Sequence, residues 1–153
     1  MPIIPPIVIL LLAVICALLA KFVDRNRFLP DALSSLKIRA SLFALLAAGF
    51  IQIHLGALDA LHGAGSGLAF TPTAGIATDG PYAYTRNPFY VLIVFVQMPA
   101  VAILCDCAWL IFAIAPLFVW LSKVVIPGEE AFLARHYGAQ YETYMETTPR
   151  WLF

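Results

Sequence analysis

The stretch GPYAYTRNPFY, residues 80–90, places an arginine, an asparagine, two prolines and three tyrosines directly before a long apolar run. Further along, IPGEEAFLARHY sets Glu129 beside Glu130 just after another apolar run. Asn87 is a residue type that caps helices. Pro88 suits the opening of a helix, where a missing N–H would lack a partner anyway. The free N–H groups of such a helix start, with Arg86 beside them, form a site for a carboxylate or phosphate. Two adjacent carboxylates at a membrane surface are costly unless paired or hydrated, so Glu129 and Glu130 ask for a cation or for hydroxyl donors. Tyr82, Tyr84 and Tyr90 offer ring faces to a cation. An anion site beside carboxylates and aromatic faces suits a small zwitterion with a cationic centre.

Those residues need a scaffold, and the composition says which kind. The chain is 62% hydrophobic and 12% charged, whereas soluble domains are near half apolar and a quarter charged. The apolar residues come in uncharged blocks: 3–20, 40–58, 87–105 and 107–122, the last resuming after Lys123. A spanning helix takes roughly 20 such residues, so the expected fold is an all-α integral membrane bundle of about four transmembrane helices. Residues 3–20 lack a basic start and a small-residue cleavage site, and read as a retained helix rather than a leader. Cys105, Asp106 and Cys107 leave room only for a tight turn. The third and fourth segments therefore form an antiparallel hairpin, which brings the 80–90 motif to the same membrane face as Glu129.

Pro127 and Gly128 are expected to end the fourth span, with the glutamates opening a new helix whose dipole favours anions in its first turn. Gly138 reads as a helix stop. Tyr141, Tyr144 and Met145 fall on one face of the helix that follows, and Trp151, Leu152 and Phe153 read as an interfacial anchor. The whole chain, 1–153, is then one domain: two N-terminal helices over 1–58, and a loop, hairpin and C-terminal interfacial helical segment over 59–153. The loop 59–86 is rich in Gly, Thr and Pro and long for a connection, which points to function.

The pattern from residue 74 onward resembles the isoprenylcysteine carboxyl methyltransferase and phospholipid methyltransferase group. GPYAYTRNPFY, a helical hairpin, the Glu129–Glu130 pair, HYGAQYETY and the PRWLF end keep that group's spacing over half the chain. The resemblance implies an integral membrane enzyme that uses S-adenosyl-L-methionine. It implies cofactor contacts from Ala74, Gly75, Ile76, Ala77, Tyr82, Asn87, Pro88, Phe89, Tyr90 and Glu129, and catalytic roles for Glu129, Glu130 and Arg86. Either glutamate would take a proton from an alcohol or amine acceptor. Two departures bear on the substrate. Carboxyl methyltransferases of the group have His where this chain has Asn87, and an arginine four residues before the first glutamate, where this chain has Val125. That leaves a prenylcysteine, a lipid or another apolar acceptor as the candidates.

Two other functions fit the same architecture: a membrane reductase of the sterol type using a nicotinamide dinucleotide, and a non-catalytic membrane subunit. The reductase needs more basic residues for a dinucleotide's phosphates than the loop supplies. Zero net charge without a basic tract argues against a nucleic-acid partner. The three cysteines form no C-x-x-C, so neither a disulfide framework nor a metal site is expected. The expected setting is the bilayer of a prokaryotic cytoplasmic membrane, crossed several times, with the cofactor face cytoplasmic. The basic residues lean the other way, five (Lys21, Arg25, Arg27, Lys37, Arg39) against four (Arg86, Lys123, Arg135, Arg150); the chemistry is given precedence. The sequence leaves oligomeric state open.

Overall fold

Uninterrupted apolar runs without alternation or clustered glycines favour helix, and each such run that is described folds as one. The computed structural model describes residues 15, 19, 22, 29–65 and 74–153. Three helices are long and apolar enough to cross a membrane: α1 (Leu36–Gly63), α2 (Pro88–Cys105) and α3 (Ala108–Tyr137). A short α4 (Ala139–Thr147) follows, and no strand occurs among the described residues. The expected span over residues 3–20 lies outside the described residues apart from Ile15 and Leu19, both helical and exposed. The fold class is thus an all-α membrane fold with a C-terminal helical segment.

Proline shapes α2 and α3 without ending them. Pro127 does not break the fourth apolar segment; α3 runs on through it to Tyr137. A π turn at Leu121–Val125 comes just before, and the Ile126 N–H bonds to the Leu121 carbonyl. α2 repeats the device, with a π turn at Ile93–Gln97 two residues before Pro99 and the Met98 N–H bonded to the Ile93 carbonyl. A proline inside a regular α-helix removes one N–H and clashes with the carbonyl four residues back. The extra residue of a π turn moves that carbonyl away and lets the helix continue. At 30 residues, α3 is roughly 45 Å long, well beyond a hydrocarbon core of about 30 Å. Its final turns, with Glu129 and Glu130, therefore emerge at the membrane face. Gly138 ends it as expected, with φ 57 and ψ −134, a conformation essentially reserved for glycine.

The described residues form two units. One contains residues 29–51 and 92–119. Its core includes Leu92, Val94, Met98 and Leu110, and Phe95 meets Phe118 edge-on with ring centroids 6.1 Å apart. The hairpin turn lies here. Asp106 takes the left-handed conformation (φ 52), and the N–H groups of Asp106 and Cys107 cap the carbonyls of Ile103 and Ala102. Aspartate tolerates that conformation better than most residues. Its side chain, 2% exposed, accepts the Leu29 N–H at 3.0 Å and lies 4.0 Å from Arg39 Nη1.

The other unit contains residues 52–65, 74–91 and 120–153. Ala57, Leu121, Ile126, Tyr141, Tyr144 and Trp151 are buried in it. A 3₁₀ turn at Gly80–Ala83 sets Pro81 close to Gly56 of α1. The chain end departs from the expected anchor: Leu152 and Phe153 are exposed, but Trp151 is 5% exposed and belongs to the core.

Candidate functional site

The 80–90 motif, the end of α3 and the chain's last residues converge in this second unit. Tyr90, in the first turn of α2 and 4% exposed, donates its hydroxyl to Glu129 Oε1 at 2.7 Å. Phe89 lies edge-on to Tyr82 at 6.5 Å between ring centroids and to His54 of α1 at 4.9 Å. The Tyr144 hydroxyl donates to the Tyr82 carbonyl at 2.7 Å, fixing the 3₁₀ turn over α4. Glu129 therefore sits in a nest of tyrosines. Burial pushes the Tyr82 phenol up, reinforced by Tyr144 and then Glu129. Burial also raises Tyr144, with Tyr141 adding to it, and raises Tyr141 despite the opposing pull of Arg86. These rings stay neutral hydroxyls across the physiological range.

Glu130 has a different environment, because successive residues of a helix point about 100° apart. Its carboxylate lies 3.0 Å from Arg86 Nη1, with the two side chains 13% and 11% exposed. It also takes a two-pronged contact from Arg150, through Nε at 2.9 Å and through Nη2. That contact holds the Arg150 guanidinium above its usual range. Two cations on one carboxylate leave Glu130 fully engaged within the protein.

Asn87 differs from expectation. Its side chain does not cap α2 but donates through Nδ2 to the Arg150 carbonyl at 2.9 Å. The local turn is closed instead by Thr85, whose Oγ1 accepts the Asn87 N–H at 3.2 Å and itself donates to the Arg150 carbonyl at 2.9 Å. Pro88 is fully buried at the start of the helix. Ala74 and Gly75 meet the end of α1, with the Gly75 N–H on the Ala64 carbonyl at 3.0 Å and Ala74 packed against Gly65. Ile76 is half-buried and Ala77 buried. Tyr84 is 72% exposed.

Sequence reasoning singled out both glutamates, Arg86 and the 82–90 motif, and the fold brings them together. It gave no site role to Thr85, to Tyr141 and Tyr144, named only as one helix face, or to Arg150, named only as a basic residue and within the PRWLF end. Their signal was present in the tyrosine pair on one face of α4 and in the second arginine available to an adjacent glutamate pair.

A sequence model of the family described as phospholipid methyltransferase matches residues 40–140, from α1 to the start of α4. No curated protein and no solved structure matches the chain.

Proposed function

The chain belongs to the phospholipid methyltransferase family, and from that premise we propose that it is an integral membrane enzyme that takes a methyl group from S-adenosyl-L-methionine and places it on an apolar or lipid-like acceptor. The observation that supports this most is the hydrogen bond from the buried Tyr90 to Glu129, with Tyr82 against the neighbouring Phe89. The donor set fits the cofactor. Glu129 has a second oxygen for ribose hydroxyls. The faces of Tyr82, Phe89 and Tyr90 suit a sulfonium cation. Ile76, Ala77 and Tyr82 supply apolar surface for adenine, with backbone from Ala74 and Gly75. The N–H groups of Phe89 and Tyr90, behind Asn87 and Pro88, suit the α-carboxylate. When bound, the cofactor supplies an electrophilic methyl group.

The protein's share of the work is alignment and exclusion of water, since methyl transfer needs donor and acceptor in line. The acceptor comes laterally from the bilayer and the cofactor from the aqueous face, which we assign to the cytoplasm. The two glutamates divide their roles. Glu130 is committed to Arg86 and Arg150, so Arg86 serves the site by holding Glu130. Among the described residues Glu129 is bonded only to the Tyr90 hydroxyl, and it is the group we assign to take a proton from an acceptor that carries one. This chain has Val125 where carboxyl methyltransferases of the group have an arginine to grip an acceptor carboxylate, which favours a lipid or neutral apolar acceptor.

Calorimetry on the detergent-purified protein tests the reading. Folded wild type is expected to bind S-adenosyl-L-methionine, and Glu129→Ala to weaken binding at least about tenfold, the effect of one lost charge-assisted contact. Folded wild type that binds none, or that binds a reduced nicotinamide dinucleotide instead, overturns it.

A further inference from the structure

The last residues of the chain, beyond the 40–140 match, are bonded into the site at several points. The Pro149 carbonyl accepts the Arg86 N–H at 2.9 Å. The Arg150 carbonyl accepts from Thr85 Oγ1 and Asn87 Nδ2, each at 2.9 Å. The Arg150 guanidinium holds Glu130 and reaches the Ser122 carbonyl at 3.4 Å. Trp151, 5% exposed, seats the segment in the core.

The Ser122 contact has a cause in the sequence. The π pairing sends the Ile126 N–H to Leu121, and Pro127, next in register, has no N–H to give to Ser122. The proline thus leaves a carbonyl without its in-helix donor, and Arg150 supplies one from another part of the chain. A guanidinium is suited to this, with five donors in a planar fork that can satisfy a carboxylate and a carbonyl together.

We propose that Arg150 is a positioning residue: by binding the 85–87 segment through its carbonyl, and Glu130 and Ser122 through its side chain, it fixes the start of α2 against the end of α3 and so sets the Tyr90–Glu129 pair. Arg150 itself need touch neither cofactor nor acceptor. The strap it anchors joins the two halves of the site, which lie far apart in sequence. Only the ligand used to report on the strap rests on the methyltransferase reading.

Hydrogen exchange and calorimetry on Arg150→Gln, Arg150→Lys, Asn87→Ala, Glu130→Gln and the Glu130→Gln/Arg150→Gln double variant test it. Arg150→Gln is expected to speed exchange in peptides covering 84–91 while the rest of α1 and α2 keeps wild-type protection. S-adenosyl-L-methionine affinity is expected to fall about tenfold. Arg150→Lys keeps the charge without the fork and should recover little of the loss. The double variant should cost less than the sum of the two singles, since both remove the Glu130–Arg150 contact. Asn87→Ala leaves every charge in place and should speed exchange at 148–151, which decides the matter should Arg150→Gln fail to fold. Unchanged exchange at 84–91 in folded Arg150→Gln, or a rise spread evenly over the molecule, overturns the proposal. A wild type that binds no S-adenosyl-L-methionine but loosens at 84–91 on Arg150→Gln upholds the strap and sinks the cofactor assignment.

Discussion

Replacing each of the adjacent glutamates by alanine should have opposite consequences for stability and for binding. Glu130→Ala strands Arg86, whose side chain is 11% exposed and which lies 3.0 Å from the lost carboxylate. Removing one partner of a buried ion pair costs about 3–5 kcal/mol. The second partner, Arg150, has a side chain 36% exposed, so water takes up much of its loss and its leg adds little. A total of about 3 kcal/mol follows, which for a chain of this size lowers the melting temperature by roughly 6–12 °C. Glu129→Ala removes one hydrogen bond from Tyr90 and also removes the cost of keeping a carboxylate away from water, so its net effect should stay within about 1 kcal/mol, or roughly 2–4 °C. Thermal unfolding in detergent followed by tryptophan fluorescence reads the first quantity, and calorimetry with S-adenosyl-L-methionine reads the second. Glu130→Ala should be much the less stable, and Glu129→Ala should be stable yet bind poorly. Equal melting temperatures for the two variants would refute the division of labour, as would a Glu129→Ala protein that melts lower than Glu130→Ala.

Two further outcomes are expected. Tyr82, Tyr141 and Tyr144 are all held above the ordinary phenol value, chiefly by burial; the unfolded chain therefore ionises first, and stability that is intact below about pH 10 is lost as pH rises beyond it, so a melting temperature flat from pH 9 to 11 would contradict the buried arrangement. At the hairpin, Asp106→Ala leaves Arg39 and the Leu29 N–H without this carboxylate and puts an unsuited residue at φ 52, costing about 3 kcal/mol; Asp106→Asn keeps an acceptor and tolerates the backbone, so it should melt clearly above the alanine variant.

The apolar blocks marked out the spans because burial in lipid leaves so little latitude: a run without charge must be helix, and a gap of three residues must be a turn. Asp106 and Gly138 were legible for the same local reason, since few residues suit a reversed or stopped helix. The course of α3 past Pro127 was not, because Pro-Gly ordinarily signals a helix end, and a π turn that absorbs a proline leaves no mark in periodicity. The motif's residues were legible as a group, but their individual partners were not. Asn87 read as a cap because Asn caps helices locally; here a carbonyl from residue 150 competes for its amide and wins it. Trp151 read as an interfacial anchor because aromatics at chain ends often are; the strap bonds that pull it into the core come from residues far away in sequence, beyond the reach of any local pattern.

The π turn at Leu121–Val125 also acts as a slack link in α3. One additional residue in a regular helix advances everything after it by about 100°, but the wider π turn takes that residue up within itself, so Glu129 and Glu130 keep the phase they would have in an unbroken α-helix one residue shorter. Deleting a single residue between Leu121 and Val125 would therefore close the turn to α and leave both carboxylates facing their partners, at the cost of setting Pro127 against an α-helical carbonyl, whereas deleting one from the regular turns of Ala108–Trp120 would swing them by about 100°. Along this helix, the effect of a one-residue change in length should depend on where it falls, and lineages that lose the turn are expected to lose Pro127 with it.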